Sequence, residues 1–514
     1  MEEAVSKQNF SKIALKNSSY TLLSLFLLKF GGLIFTIIIA RLLLPELFGI
    51  FALALSTVTI FLTFTNLGLD HTLARYISEA VGKKNNDRAR TFFRYLFKIK
   101  YILVAVTIIV LVSLSKVLSY GFYDKPLLFY PLIFSCLFMA AESFKNFFAS
   151  IFLATKNIKP IPFLESLHQI TKISFSVLAV LVLSPEFKIA GLLVAFGLAG
   201  FIHLFFLILI LFKQDKQIFF GKKIPIKTSD KKRISKFLRF MSIASISLVF
   251  FGSIDTIMLG KFVDAEFIAY YRVALSLVLT IASIFSMSSV LLPMFTQIHK
   301  KRFVRGFQKT FRYLMLIAIP ATIGTVFIGR YLIFIIYGKE YLLAASSLYF
   351  LAILIITMPL TTLYNTIFES KEKTKILANS LIISLIINVI LNLALIKYLL
   401  SFGQEYVIIG VGVATVISRL IYLVILSFNA KKTLKLTTKG IGLRSPIFAT
   451  LIMALFLLVF NHFIDINIIY GAIEIILGAG IYFGVLILTK GATKEDWNVL
   501  MSLIKKKTQP KLSE

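Results

Sequence analysis

One cysteine in 514 residues excludes a disulfide framework and a cysteine-built metal centre. That residue, Cys136, lies inside an apolar run. Acids are scarce: 24 Asp and Glu stand against 56 Lys and Arg. Charged residues of both signs make up only 16% of the chain, where a soluble domain carries about a quarter. No Ser/His/Asp set, metal-ligand spacing or glycine-rich phosphate loop is spelled out. A glycosyltransferase or polymerase would need a large external loop with carboxylates for acid–base or metal work, and the odd-numbered loops are all short. The sequence therefore argues against an enzyme and implies no cofactor.

What is abundant is apolar surface. Hydrophobic residues reach 58% and mean hydropathy is +0.88, more than one soluble core absorbs. About fourteen runs are long enough to cross ~30 Å of hydrocarbon. They cover 19–40, 49–69, 94–118, 127–154, 161–184, 189–212, 239–260, 267–292, 310–336, 341–367, 376–400, 405–428, 446–464 and 467–489. No cleavable leader opens the chain, so the first run is expected to be a retained helix. The expectation is an all-α integral membrane protein.

The formal charge of +32 is distributed by loop. Most Lys and Arg fall in the N-terminal segment, the even-numbered loops and the tail. The odd-numbered loops hold few, such as Arg41, Lys125, Lys188 and Lys261. Basic loops stay cytoplasmic, which places both termini there and removes nucleic acid as the reason for the charge. The loop 213–238 is the longest and strongly basic, a linker with scope for anionic-lipid contact. In the tail, Thr493 and Asp496 fit a capping box ahead of Trp497, Leu500, Met501 and Ile504, which predicts a short interfacial helix.

The chain repeats itself. Ile34, Thr36, Ile37, Glu46 and Ala54-Leu55-Ser56 recur as Ile254, Thr256, Ile257, Glu266 and Ala274-Leu275-Ser276, an offset of 220. Arg41 falls on Lys261 and Ala40 on Gly260. FRYL at 93–96 recurs at 311–314, Tyr120-Gly121 at Tyr337-Gly338, and Ile189, Gly191, Val194 and Ala195 at Ile408, Gly410, Val413 and Ala414. Matches in order at near-constant offset imply two parallel six-helix repeats, helices 1–6 and 7–12, plus two C-terminal helices. The domains read as 1–212 (first lobe), 213–238 (linker), 239–430 (second lobe), 446–489 (helices 13 and 14) and 490–514 (tail). Parallel repeats place a substrate site between the lobes and suit alternating access.

These segments resemble a known family. ARLLLPELFGIFALA with LGLDHTLARYISEA, then SIDTIMLGKF…AYYRVA, IYGKEYLLAASSL and GVGVATVISRL are similar to polysaccharide-biosynthesis flippases. These are Wzx-type lipid-linked oligosaccharide flippases of the MOP exporter superfamily, related to MurJ and to the MATE exporters. The resemblance implies a polyprenyl-(di)phosphate-linked oligosaccharide as substrate, membrane lipid around it, glycan-assembly proteins as partners and a prokaryotic cell membrane. MurJ-like chains concentrate arginines in the first two helices. Here the first span has Lys29 and the second has no basic residue, which points away from lipid II itself. The carrier, undecaprenyl or dolichyl, stays open. So does the rival reading, a cation-coupled MATE-like exporter.

Ionisable residues within spans are expensive, so each is a candidate. The candidate substrate-binding residues are Lys29, Lys145, Lys172, Arg272 and Arg419, with Arg41 at the end of the first span. Cations there would replace the hydration of a diphosphate with charge-assisted hydrogen bonds. Lys29 and Arg419 are expected to face one central cavity from opposite lobes. Glu142, three residues before Lys145, could neutralise it or take part in ion coupling. Asp255 is the other acidic candidate for coupling to Na⁺ or H⁺, or else a partner for Arg272. Arg41, by its match to Lys261, is expected to snorkel or to close the tight hairpin after the first span, with a cationic rim at the outer gate as the alternative. Glu474 reads as peripheral. Pro320 and Pro359 are expected to kink their helices.

Overall fold

The computed structural model describes residues 2–155, 157–221, 224–285, 300–438, 440–463 and 468–491. The described elements are helical throughout, as the all-round apolar runs dictate. In chain order the α-helices of eight residues or more are α1 (Glu2–Asn66), α2 (Leu69–Gly82), α3 (Asn86–Lys116), α4 (Phe129–Ala154), α5 (Ile161–Val182) and α6 (Pro185–Gln214). Then come α7 (Thr228–Phe262), α8 (Ala265–Ile284), α9 (Lys300–Tyr337), α10 (Ala344–Leu351), α11 (Leu354–Ser370), α12 (Thr374–Leu399), α13 (Gln404–Leu434), α14 (Arg444–Phe463) and α15 (Ile468–Leu488).

Local chemistry sets the breaks. α1 carries two expected spans and is interrupted at Leu44, whose backbone (φ 62°) leaves the helical region. Pro45 follows, and a proline ring disfavours the α conformation in the residue before it. Asn85 caps α3 by accepting from Arg88 N at 2.9 Å. Within the spans, Ser and Thr hydroxyls bond back to carbonyls one turn earlier, as Thr36 does to Gly32 and Ser384 to Ser380.

Eleven described helices are long and apolar enough to span, or twelve with the pair α10 and α11 taken as one. That reckoning takes Leu23–Gly82 as one segment despite the break at Leu44, and leaves out α5. The tenth expected span bends by 43°. The bend falls at Ala352 and Ile353, between α10 and α11, ahead of Pro359. Ile109, Leu181, Val182, Val424 and Ile476 are exposed on the outer flanks, where lipid is their solvent. The expected tail helix lies outside the described residues, as does the end of the eighth run beyond Phe285.

The cores divide unevenly. One large core joins both lobes at the end that carries Arg41. It packs Phe35, Phe48, Phe51 and Phe196 with Ile268, Tyr271, Tyr341 and Leu348. At the opposite, basic end each lobe has its own core. The first packs Tyr76, Phe92, Phe147 and Phe152. The second packs Phe307, Tyr364, Phe368 and Tyr422. The lobes are thus fused at one end and separately packed at the other. A fourth, smaller core seats α14 and α15 against α9.

Candidate functional site

A cleft of about 290 Å³ opens between α1 and α8 where the shared core ends. Lys29, Gly32 and Thr36 line it from the first lobe, and Arg272, Ser276 and Thr280 from the second. Among the described residues no acid lines it, so two cations from opposite lobes face one space. Lys29 is exposed to that space. Its counterpart across the lobes is Arg272; Arg419 is not among the walls. Arg419 lies instead on the Phe251 ring, 3.9 Å from its centroid, and reaches the Phe251 carbonyl at 3.5 Å. A cation over an aromatic face is partly compensated where it stands.

Asp255 sits in a cage of neutral polar groups in the second lobe. Asn392 Nδ2 donates to Oδ1 at 2.7 Å, Tyr271 OH to Oδ2 at 2.9 Å, and Thr415 Oγ1 to Oδ2 at 2.7 Å. Asn388 Oδ1 accepts from Asn392 at 3.2 Å. All these residues are buried. Among the described residues Asp255 forms no ion pair, so the pairing with Arg272 weighed from sequence does not occur. Asn392 Oδ1 is buried without a hydrogen-bond donor. An orphan acceptor beside a carboxylate is a shortage of positive charge or protons. The carboxylate, Asn388 Oδ1 and the orphan Asn392 Oδ1 are oxygen ligands of the kind a hard cation takes.

A second polar group lies within the first lobe. Lys145 and Glu142 form an ion pair at 2.6 Å, the neutralisation weighed from their spacing. Lys172 lies over the rings of Phe35 (4.9 Å) and Phe196 (5.6 Å). His168 and His203 meet edge to face at 5.4 Å, each with a buried Nδ1 lacking a partner. Glu474 is fully buried and lines an apolar cavity of about 310 Å³ between α9, α14 and α15.

The fused end is held by contacts between lobes. Arg41 donates from Nε to the Ile336 carbonyl at 2.8 Å and from Nη2 to that of Ile335, at the C-terminus of α9. Cations suit that end of a helix, where carbonyls lack intrahelical donors. Arg41 therefore does not close its own hairpin; it crosses to the other lobe. Tyr341 OH donates to the Ala40 carbonyl at 2.7 Å. In mirror fashion Lys125 Nζ donates to the Gly260 carbonyl at 3.0 Å, and Lys261 sits over the Phe122 ring at 5.5 Å. A Cβ at Gly49 would stand 1.7 Å from the Ala265 carbonyl oxygen, so this backbone approach requires glycine.

Sequence reasoning looked for charge and so missed the neutral half of the Asp255 cage. The signal was present: Asn388 and Asn392 stand one turn apart inside an apolar run, aligned on one face.

A family model described as "Polysaccharide biosynthesis protein" matches residues 14–299, more than half of the chain. The chain belongs to that family. Solved structures give the same fold at low identity. "Lipid II flippase MurJ, inward closed conformation" aligns at TM-score 0.71 and 17% identity, over 93% of this chain and 99% of that one. An inward-facing multidrug resistance MATE family transporter of the MOP superfamily aligns at 0.65 and 13%, over 79% and 95%. A MOP superfamily transporter from Pyrococcus furiosus, described by a "reverse polarity of binding pocket", aligns at 0.57 and 13%, over 83% and 97%. No curated protein matches. The chain is thus a multi-pass membrane protein of the polysaccharide biosynthesis family, with the fold shared by MurJ and MATE transporters.

Proposed function

We propose that this protein moves an anionic lipid-linked oligosaccharide across the cell membrane by alternating exposure of the cleft between its lobes. The observation that carries the reading is the facing of Lys29 and Arg272 across one cleft that no acid lines among the described residues. Such a site offers charge-assisted hydrogen bonds to a diphosphate or acidic sugar and repels cationic drugs. In this reading the basic end faces the cytoplasm. The fused end faces outward, so the cleft meets substrate on the cytoplasmic side and delivers it when the outer contacts part.

The Asp255 cage is the coupling element in this reading. Asp255, Asn388, Asn392 and Thr415 would hold a sodium ion; when bound, it supplies the charge that Asn392 Oδ1 lacks and ties α7, α12 and α13 together. This cage also favours the second reading, a cation-coupled exporter. The test is reconstitution in liposomes, with a labelled polyprenyl-diphosphate oligosaccharide and a cationic dye offered in parallel. Leaflet transfer of the glycolipid without dye movement is expected. Ion-driven dye transport with no glycolipid transfer would put the chain with the exporters.

A further inference from the structure

A second cationic cleft lies apart from the one between α1 and α8, where α7 passes α3. Tyr95 of α3 and Lys231, Lys232, Ser235, Lys236, Arg239 and Ile243 of α7 border a shallow, open groove of about 880 Å³. At 35 residues, α7 is about 52 Å long, well beyond the hydrocarbon thickness. Its first three turns therefore stand in the headgroup region at the basic end.

The cations of this stretch fall into two sets. One set is spent on holding α7 to the first lobe. Arg233 bridges to Glu79 at 2.8 Å and covers Tyr76, and Asp230 bridges to Arg88 at 2.8 Å. Ile234 and Phe237 on the same side pack into the first lobe's core. The other set has no such task. Lys231, Lys232, Lys236 and Arg239 are exposed and form no ion pair among the described residues. Four unpaired cations on a helix face that is clamped from behind make a preformed anion site. Self-repulsion among them is a cost that a bound anion removes. Along the same face Ile243 stands one turn below Arg239, and it is exposed. The cleft thus grades from cationic to apolar in the direction of the membrane core.

We propose that this cleft is a loading site for the diphosphate of a prenyl-linked lipid, holding it at the cytoplasmic headgroup level before it enters the space between the lobes. The class of substrate rests on the function proposed above. A diphosphate matches the charge: four donors exceed what the single anionic charge of a bulk phospholipid would use. The volume takes a diphosphate with its first sugar, and the Tyr95 ring gives that sugar an aromatic wall. The prenyl chain would leave past Ile243.

The test reads this cleft directly. In a Cys136→Ala background, Ile243→Cys carries an environment-sensitive fluorophore, with the full-length protein in zwitterionic nanodiscs. Geranyl diphosphate is titrated against inorganic pyrophosphate and dioctanoyl phosphatidylglycerol. The expected result is saturable binding of geranyl diphosphate, weaker binding of pyrophosphate, and no displacement by equal phosphatidylglycerol. Lys232→Gln/Lys236→Gln/Arg239→Gln should weaken binding about a hundredfold, and all three side chains are exposed, so folding is spared. Lys29→Gln/Arg272→Gln should leave this signal unchanged. Native binding by the triple variant would overturn the site. Displacement by phosphatidylglycerol at equal concentration would overturn the occupant in favour of bulk anionic lipid. Failure of glycolipid transport with the fluorophore response intact would strike only the function proposed above.

Discussion

Gly49→Ala should pry the outer end open. The new methyl would lie 1.7 Å from the Ala265 carbonyl oxygen and 2.5 Å from its carbon, where ordinary contact begins at 3.4 Å. Both atoms are backbone at the start of α8, so no side chain can swing away. The lobes must separate locally by about 1.5 Å or more, which breaks close-packed contacts on both sides. Overpacking of this kind costs about 1–3 kcal/mol. Charged to the closed arrangement alone, it shifts the balance toward outer opening by about five- to 150-fold. The assay is labelling in whole cells with a membrane-impermeant maleimide. Ala269→Cys in the Cys136→Ala background places a small thiol in the shared core, where Ala269 is fully buried. Labelling should be slow in that parent and at least several-fold faster with Gly49→Ala added. Equal rates, with the melting temperature unchanged, would refute the claim that this approach seals the outer face.

Lys29→Gln and Arg272→Gln should each lower glycolipid transfer in liposomes by about tenfold or more, while leaving the melting temperature near that of the parent. Wild-type transfer by the double variant would remove the cleft from the pathway. Asp255→Asn should abolish any sodium-dependent rise in melting temperature, because the cage then lacks its carboxylate; a persisting rise places the ion elsewhere. Reporter fusions after residues 230 and 305 should both read cytoplasmic, and an external signal at either breaks the two-lobe topology.

Much of the architecture is legible in the sequence because lipid removes alternatives. Long uncharged runs become helices there, and Pro45 or the Gly338 turn marks where they stop. The repeat, too, can be read from short matches at near-constant offset. The site is less legible, for a physical reason. A charge in a span announces a need for a partner, but the partner is chosen by three-dimensional packing. Lys145 found its partner locally, in Glu142, which spacing suggests. Arg419 settled on the Phe251 ring, and Lys172 between Phe35 and Phe196. No periodicity distinguishes those rings from the other phenylalanines. Asp255 drew neutral amides and hydroxyls from α8, α12 and α13, residues that hydropathy counts as mild interruptions. Glu474, read as peripheral, is fully buried because α14 and α15 fold back on α9.

The repeated outer segments, Ala40-Arg41 and Gly260-Lys261, have a meaning that only the fold supplies. A duplicated basic residue at the end of a span looks like a local anchor, one per hairpin. The contacts run the other way. The carbonyls of Ala40 and Gly260 are each taken by a donor from the opposite lobe, Tyr341 and Lys125. Arg41 and Lys261 likewise reach across, to the end of α9 and to Phe122. Each lobe therefore offers the same two elements and receives them from its twin, as a pseudo-two-fold arrangement requires. The bonds are few, and each adds only about 1 kcal/mol net. The apolar shared core supplies the bulk of the closure, while the paired clamps fix its register. A closure built this way is specific in geometry yet modest in depth. That combination suits the alternating exposure proposed above, in which these contacts part and re-form.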